Sequence, residues 1–398
     1  MRITRIETIP IRTPEPPPGK EHRWFLATPF SPFDTAEEQR KSRRGGSADG
    51  IDNLLVIIET DEGQRGIGDV TVGIRAVKEL VDHTFAPMLL GQSPFDVELL
   101  WERMYRSTIN HGRKGAALEA ISGLDIALWD IMGQALGQPV YNLLGGRTRD
   151  RLRCYISVLY ATEDLDALAR EADSYREQGF TAMKQRFGYG PADGPAGMRK
   201  NLELVKTVRE IIGPDIALAA DAYMGWDVNY AIRMIRMLEN AGLDLAWVEE
   251  PVLPDDIEGY ATIAAAVDTP ISGGEHEFTR WGFRELINRR AVDIVQLDVN
   301  RCGGVTEARK IWAMAAGNGL NVYPHAGQSH NYHLIMAHMN SPLAEYFPRM
   351  DPQVGYTLFW DLFDGEPTPI DGYLDVPARP GFGLTLNEKN VDRWRADW

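Results

Sequence analysis

The sequence predicts an α/β protein, a (β/α)7-8 TIM-type barrel carrying an α+β capping domain built from its N-terminal part. Three observations predict it. From Leu152 to about residue 350, strand-length apolar runs alternate with helix-patterned stretches, the pattern of βα units and a parallel sheet. Seven of these runs close on ionisable side chains: Lys184 and Arg186 after 180–183, Asp221 after 216–220, Glu249 and Glu250 after 245–248, Glu275 after 270–274, Asp298 after 293–297, His325 after 321–324, and Glu345 within 342–347. Barrel strands gather their carboxyl ends at one mouth, where barrel enzymes keep their chemistry. Before residue 137 the order differs, with strands first and helices after, which suggests a separate α+β unit.

The elements follow in order. Residues 1–11 alternate apolar and polar side chains and read as a strand. Residues 13–50 begin proline-rich, turn densely charged over 37–44 and reach Gly45-Gly46; an unpatterned stretch this long is expected to be a lid or binding loop. A β-branched strand over 51–60, the turn Asp61-Glu62-Gly63 and a second strand near 66–72 come next. Helical patterns cover 75–89, 95–106 and 115–136. The capping domain is thus expected over 1–150, with its lid at about 13–50. Eight barrel strands should begin near 153, 180, 216, 245, 270, 293, 321 and 342, filling a barrel domain over 151–350. The tail 351–398, aromatic and proline-rich with a turn at Arg379-Pro380-Gly381-Phe382-Gly383, is expected to return to the capping domain.

Composition narrows the function. The two cysteines, Cys154 and Cys302, form no disulfide framework and fit a reducing, cytoplasmic setting. Arg2, Arg5 and Arg12 punctuate the first strand-like run, unlike a secretory signal. The most apolar helix, 116–136, carries Glu119, Asp125 and Asp130, so no membrane span is expected. A net charge of −15 argues against a nucleic-acid binder, and an anionic substrate would need local cations. Neither a Walker loop nor a dinucleotide fingerprint follows a strand.

Asp221, Glu249 and Glu275 end three consecutive barrel strands, and adjacent strands lie about 4.8 Å apart. Three carboxylates so gathered would raise one another's pKa unless a cation relieved them. Mg²⁺ suits a few carboxylates with water and substrate oxygens; the plainer alternative is pairing with Lys184, Arg186 or helix N-termini. His325 ends the seventh strand beside Asp298 on the sixth, where the carboxylate can fix the imidazole tautomer and stabilise the imidazolium of a general base.

The segments Ala220-Asp221-Ala222, Trp247-Val248-Glu249-Glu250-Pro251 and Ser272-Gly273-Gly274-Glu275 resemble the metal-binding strands of the enolase superfamily, mandelate racemase subgroup. ISGLDIALW over 121–129 and Leu143-Leu144-Gly145-Gly146 resemble that family's helix and domain junction. The resemblance implies Asp221, Glu249 (rather than Glu250) and Glu275 as Mg²⁺ ligands, and removal of a proton α to a carboxylate. The family pattern ends the second barrel strand on Lys-X-Lys, whose second lysine is a base; here Lys184-Gln185-Arg186 stands there, and a guanidinium stays protonated. One-sided β-elimination by His325 is therefore expected over racemisation, with Lys184 and Arg186 neutralising the substrate carboxylate. An ordinary salt bridge to an acid is the alternative for Arg186. Glu345 resembles the family's group that hydrogen-bonds a carboxylate oxygen, a role that would strengthen were it protonated at rest.

Gly274-Glu275-His276, Asp227-Val228-Asn229-Tyr230, Cys302-Gly303-Gly304 and Asn340-Ser341-Pro342 look like L-rhamnonate dehydratases and related acid-sugar dehydratases. That likeness implies a sugar-acid substrate of the L-rhamnonate, L-lyxonate or L-mannonate type, with His276 and His22 as further contacts, and a homo-oligomer, octamers being common among similar enzymes. Tyr223 stands where mannonate-type enzymes usually have a histidine. An epimerase or lactone cycloisomerase, and a non-catalytic sugar-acid-binding barrel, are the alternatives. His330 and His333 begin the helix after the seventh strand and are expected to be structural.

Overall fold

In the computed structural model, residues 1–12, 24–33, 53–70, 74–349 and 358–396 are described. The capping domain is built on an antiparallel sheet of Ile3–Ile11, Asn53–Thr60 and Arg65–Val70, with Asn53–Thr60 in the middle. That middle strand is apolar from Leu54 to Ile58, because both its faces are covered there. Leu54, Val56 and Ile58 join the main core under the long helix Ala116–Leu136. Leu55 and Ile57 face Leu362, Phe363, Leu386, Val391 and Trp394 from the C-terminal segment. The period-2 alternation of a strand makes this division.

The long helix lies directly on the strand Arg65–Val70. A Cβ at Gly66 would sit 2.1 Å from the carbonyl oxygen of Ala127, and one at Gly68 1.9 Å from that of Gly123. Only glycine permits that approach. The helix expected over 75–89 has three parts, Ile74–Glu79, a π-helical turn Leu80–Phe85, and Ala86–Leu89. Pro87 supplies the reason: its ring clashes with the carbonyl a turn earlier and it donates no N–H, so the preceding turn widens.

Eight parallel strands form the barrel sheet: Leu152–Ser157, Ala182–Arg186, Ala217–Asp221, Val248–Glu249, Ile271–Gly273, Ile294–Val295, Asn321–Val322 and Ala344–Tyr346. Neighbours pair in sequence order, and the eighth returns to pair with the first. The seam between the seventh and eighth has no strand ladder; there Val322 N–H donates to the Asn340 carbonyl at 2.8 Å. Seven helices, from Leu165–Glu177 to Ser329–Ala337, alternate with the strands. Tyr155, Ala182, Ala219, Trp247, Ile294, Tyr323 and Leu343 form a separate apolar plug. Two residues further along, the same faces carry Lys184, Asp221 and Glu249, so the polar layer lies one step nearer the carboxyl ends of the strands.

Tryptophans and an acid of the cap grip the barrel at the loop after the sixth strand. Trp101 Nε1 donates to the Gly303 carbonyl at 2.7 Å, Trp129 Nε1 to Thr306 Oγ1 at 2.8 Å, and Thr306 N–H to Asp125 Oδ2 at 2.8 Å. Of the expected lid, 24–33 is described: Trp24–Phe25 pairs with Ala161–Thr162, and Ala27 N–H donates to the Phe187 carbonyl at 2.7 Å. Tyr373–Leu374 adds an antiparallel pair to the first barrel strand, while the helix Glu388–Trp394 packs on the capping sheet. Among the described residues, no helix is long and apolar enough to cross a membrane.

Candidate active site

Strand register sets the first row of charges. Arg186 is level with Asp221, and Asp221 with Glu249, across three adjacent strands. Arg186 forms an ion pair with Asp221, and its Nη2 also donates to Ser157 Oγ at 3.2 Å. Asp221 Oδ1 accepts from Tyr223 N–H at 2.6 Å. Lys184, fully buried, joins Glu249 to Glu345, with its Nζ 2.8 Å from Glu345 Oε1. The other oxygen of Glu249 accepts from Gln296 Nε2 at 2.7 Å and Trp247 Nε1 at 3.1 Å. Glu345 Oε2 accepts from Ala326 N–H at 2.8 Å.

A second row continues from the fifth strand to the seventh. His276 Nδ1 lies 2.9 Å from Glu250 Oε1 and 3.7 Å from Glu275 Oε1. His325 Nδ1 meets Asp298 Oδ2 at 2.7 Å, and its Nε2 stands 3.5 Å from Glu275 Oε1. Arg301 reaches Glu275 Oε1 at 3.4 Å and Asp298 Oδ2 at 3.5 Å. His325 is partly exposed while its acidic neighbours are buried, so its ring is the accessible member of the pair.

Burial raises the pKa of Glu250, Glu275, Asp298 and Glu345, and the neighbours decide the outcome. For Glu275 the charges of His325, His276, Arg301 and Lys184 outweigh burial and hold it well below the ordinary carboxylate range. Arg301 and His325 likewise pull Asp298 down against burial. Burial lowers His325, but Glu275 and Asp298 overcome it and lift the imidazole to about 9. Glu250 rises, because burial and repulsion from Glu275 exceed the attraction of His276. Glu345 falls: against burial, Lys184, His325 and Arg186 lower its pKa, which favours the ionised form.

Six carboxylates (Asp221, Glu249, Glu250, Glu275, Asp298 and Glu345) thus face three basic side chains, Lys184, Arg186 and Arg301. Hard oxygen donors in excess of positive charge fit a divalent cation. Of the predicted trio, Asp221 and Glu249 end adjacent strands and Glu275 lies two residues past the next, but Asp221 and Glu249 are already held by buried cations. Among the described residues, the group whose ligand atoms lie mutually within 4.8 Å is Glu250, Glu275 and His276. It shares Glu275 with the trio and takes Glu250 in place of Glu249. Arg186 makes the salt bridge named as its alternative role. His22 lies outside the described residues.

Sequence reasoning passed over Arg301 and Asn300, although their positions three and two residues beyond an acid-ended strand were a usable signal. It also missed Glu119 of the long helix, 5% exposed, whose Oε2 has no hydrogen-bond partner. Burial raises its pKa in spite of nearby Arg301. His333 is buried in packing, its Nδ1 accepting from Tyr141 N–H at 3.2 Å.

The model for the mandelate racemase/muconate lactonizing enzyme N-terminal domain matches residues 46–145, and the enolase C-terminal domain-like model matches 167–390. The chain belongs to the enolase superfamily. Within it, the chain is 38% identical over 374 residues to an L-rhamnonate dehydratase of Saccharopolyspora erythraea, covering 92% of this chain and 91% of that protein. A rhamnonate dehydratase from Gibberella zeae, solved in complex with Mg, superposes with a TM-score of 0.87 at 34% identity over 98% of this chain and 95% of that one. A 3,6-anhydro-D-galactonate cycloisomerase from Zobellia galactanivorans superposes at 0.82, 28% identical and complete in both chains. The barrel with its N-terminal cap is the fold of this superfamily, and the chain is an enzyme.

Proposed function

We propose that this enzyme is a Mg²⁺-dependent sugar-acid dehydratase that converts an aldonate of the L-rhamnonate, L-lyxonate or L-mannonate type to its 2-keto-3-deoxy acid. The observation that carries this reading is the lack, among the described residues, of a base at the family's second basic position. His325 is oriented by Asp298 at 2.7 Å, whereas the family's second basic position is Arg186, committed to Asp221. An acid and a base on opposite faces are what racemisation needs, and a guanidinium does not supply the base.

In this reading Asp221, Glu249 and Glu275 hold the metal, with Glu250 and His276 beside them. Bound Mg²⁺ supplies positive charge where negative charge develops on the substrate carboxylate. Lys184 adds a buried positive charge between Glu249 and Glu345. His325 takes the α-proton at Nε2, because Nδ1 is spent on Asp298. The imidazolium, stabilised by Asp298, then returns that proton to the departing β-hydroxyl, which leaves as water on the same face. His276, and His22 from the lid, are assigned to the sugar hydroxyls. The same reading includes a cytoplasmic, homo-oligomeric enzyme of carbohydrate catabolism.

The likeness to the cycloisomerase favours one second reading, a cycloisomerase or epimerase with a base drawn from the lid. The test is a screen of six-, five- and four-carbon aldonic acids with Mg²⁺, run in D₂O and read for 2-keto products. A keto acid carrying solvent deuterium is expected from an aldonate of the stated type. Exchange at the α-carbon without loss of water would replace the proposal with the second reading. Binding without either change would leave only a sugar-acid-binding barrel.

A further inference from the structure

The Asp298 carboxylate can orient His325 only if it is itself fixed. Oδ2 faces the imidazole, and Oδ1 accepts from the backbone N–H of Asn300 at 2.7 Å. That N–H is held in turn by the Asn300 side chain, which is 2% exposed and fully engaged. Its Nδ2 donates to the Asp69 carbonyl at 2.8 Å and to Asp69 Oδ1 at 3.2 Å. Its Oδ1 accepts from His330 Nε2 at 2.7 Å. The amide orientation follows from these partners, since the flipped form would set oxygen against two Asp69 oxygens. His330 must then carry its proton on Nε2, in keeping with a buried neutral imidazole.

Asp69 belongs to the capping strand Arg65–Val70, not to the barrel. Its Oδ2 accepts from Gln328 Nε2 at 3.0 Å and Asn53 Nδ2 at 3.4 Å. One side chain therefore joins the cap, the loop after the sixth strand and the helix after the seventh. We infer that Asn300 is a positioning residue, transmitting the docking of the capping domain to the Asp298–His325 pair. This rests on the reading of His325 as the base. Asn300 itself touches no reacting atom; with its side-chain anchors removed, the backbone N–H that fixes Asp298 can shift, Arg301 at 3.5 Å being the carboxylate's other hold, and the imidazole loses its aim. An angstrom of misplacement near the chemistry costs about 10²-fold in rate.

The test compares Asn300→Leu and Asn300→Ser with the Mg²⁺-loaded parent. Two readouts are used: steady-state kinetics on the best aldonate, and the strongly downfield imidazole N–H resonance, assigned by its loss in His325→Asn. Asn300→Leu is expected to lower kcat about 10- to 100-fold at little change in KM, and to shift or broaden the resonance. Asp69→Asn keeps the backbone acceptor and should do less. Should Asn300→Leu fail to fold, Asn300→Ser, which loses both side-chain anchors with no added bulk, decides on the same two readouts. An unmoved resonance with parental kcat in the folded variants overturns the inference, as does a loss confined to KM. A parent that dehydrates no aldonate while the resonance still moves would reject the dehydratase reading and leave Asn300's role standing.

Discussion

Lys184 is the most instructive side chain to remove. It is fully buried, its Nζ lies 2.8 Å from Glu345 Oε1, and it also pairs with Glu249. Lys184→Met keeps most of the length and apolar stem while deleting the charge. Two buried carboxylates then lose their common partner, and breaking one half of a buried ion pair costs about 3–5 kcal/mol. Freed of Lys184, the Glu345 pKa should rise. Unit charges about 4 Å apart interact by about 4 kcal/mol at an effective dielectric near 20, so deleting a cation beside Glu249 should strengthen its hold on a divalent ion. Even a third of that energy is a tenfold gain, about 1.4 kcal/mol. Calorimetric Mg²⁺ titration and urea unfolding, each with and without chelator, measure both effects. The variant should be 3–5 kcal/mol less stable in chelator by the same reasoning, partly rescued by Mg²⁺, and should turn over poorly. Unchanged Mg²⁺ affinity with a stability loss below about 1 kcal/mol would refute the reasoning, because surface pairs behave that way.

Other outcomes can be checked with purified variants. His325→Asn should retain Mg²⁺ binding and lose at least about 10²-fold in turnover, the lower end for deleting a general base; near-parental rates in the dehydration assay would reject its role. Gly68→Ala puts a methyl 1.9 Å from the Gly123 carbonyl and should destabilise by about 1–3 kcal/mol, as overpacking does; a urea midpoint equal to the parent's would contradict the close strand–helix approach. Burial lowers the His333 pKa from 6.5 to about 3, so between those values the unfolded chain binds the extra proton. Stability should therefore fall as pH drops below 6.5, by about 1.4 kcal/mol per pH unit for this group. In His333→Gln that contribution to the acid limb should vanish, and parallel denaturation curves for parent and variant at pH 5 and 7 would show the assignment to be mistaken.

Much of the site was legible because barrel strands end where apolar runs end. Lys184, Asp221, Glu249, Asp298 and His325 announced themselves in this way, and Glu345 as the acid inside the last run. What one sequence does not reveal is how charges divide among themselves once buried together. Nothing in Lys184-Gln185-Arg186 says that the arginine takes Asp221 while the lysine bridges Glu249 and Glu345; that depends on register across three strands. Glu250 was set aside in favour of Glu249, yet the left-handed backbone of Glu250, at φ 39°, turns it toward His276. The link from Asn300 to Asp69 spans 231 residues, beyond any local pattern. In the fold, Gly66 and Gly68 looked like ordinary strand residues, and the π turn at Leu80–Phe85 was hidden because its apolar spacing remains close to helical; Pro87 was the visible clue.

The second face of the capping sheet is closed by Leu362, Phe363, Leu386, Val391 and Trp394, and Ile11 bridges to Arg395. These residues leave the ribosome after every strand of the barrel. Domains commonly fold as they are synthesised, N-terminal first; here the order is inverted for half of one layer. During translation the capping sheet waits with Leu55 and Ile57 bare, an apolar surface covered only when the C-terminal segment arrives. A ribosome stalled just past the eighth barrel strand should hold a protease-resistant barrel beneath a cap that is still cleavable.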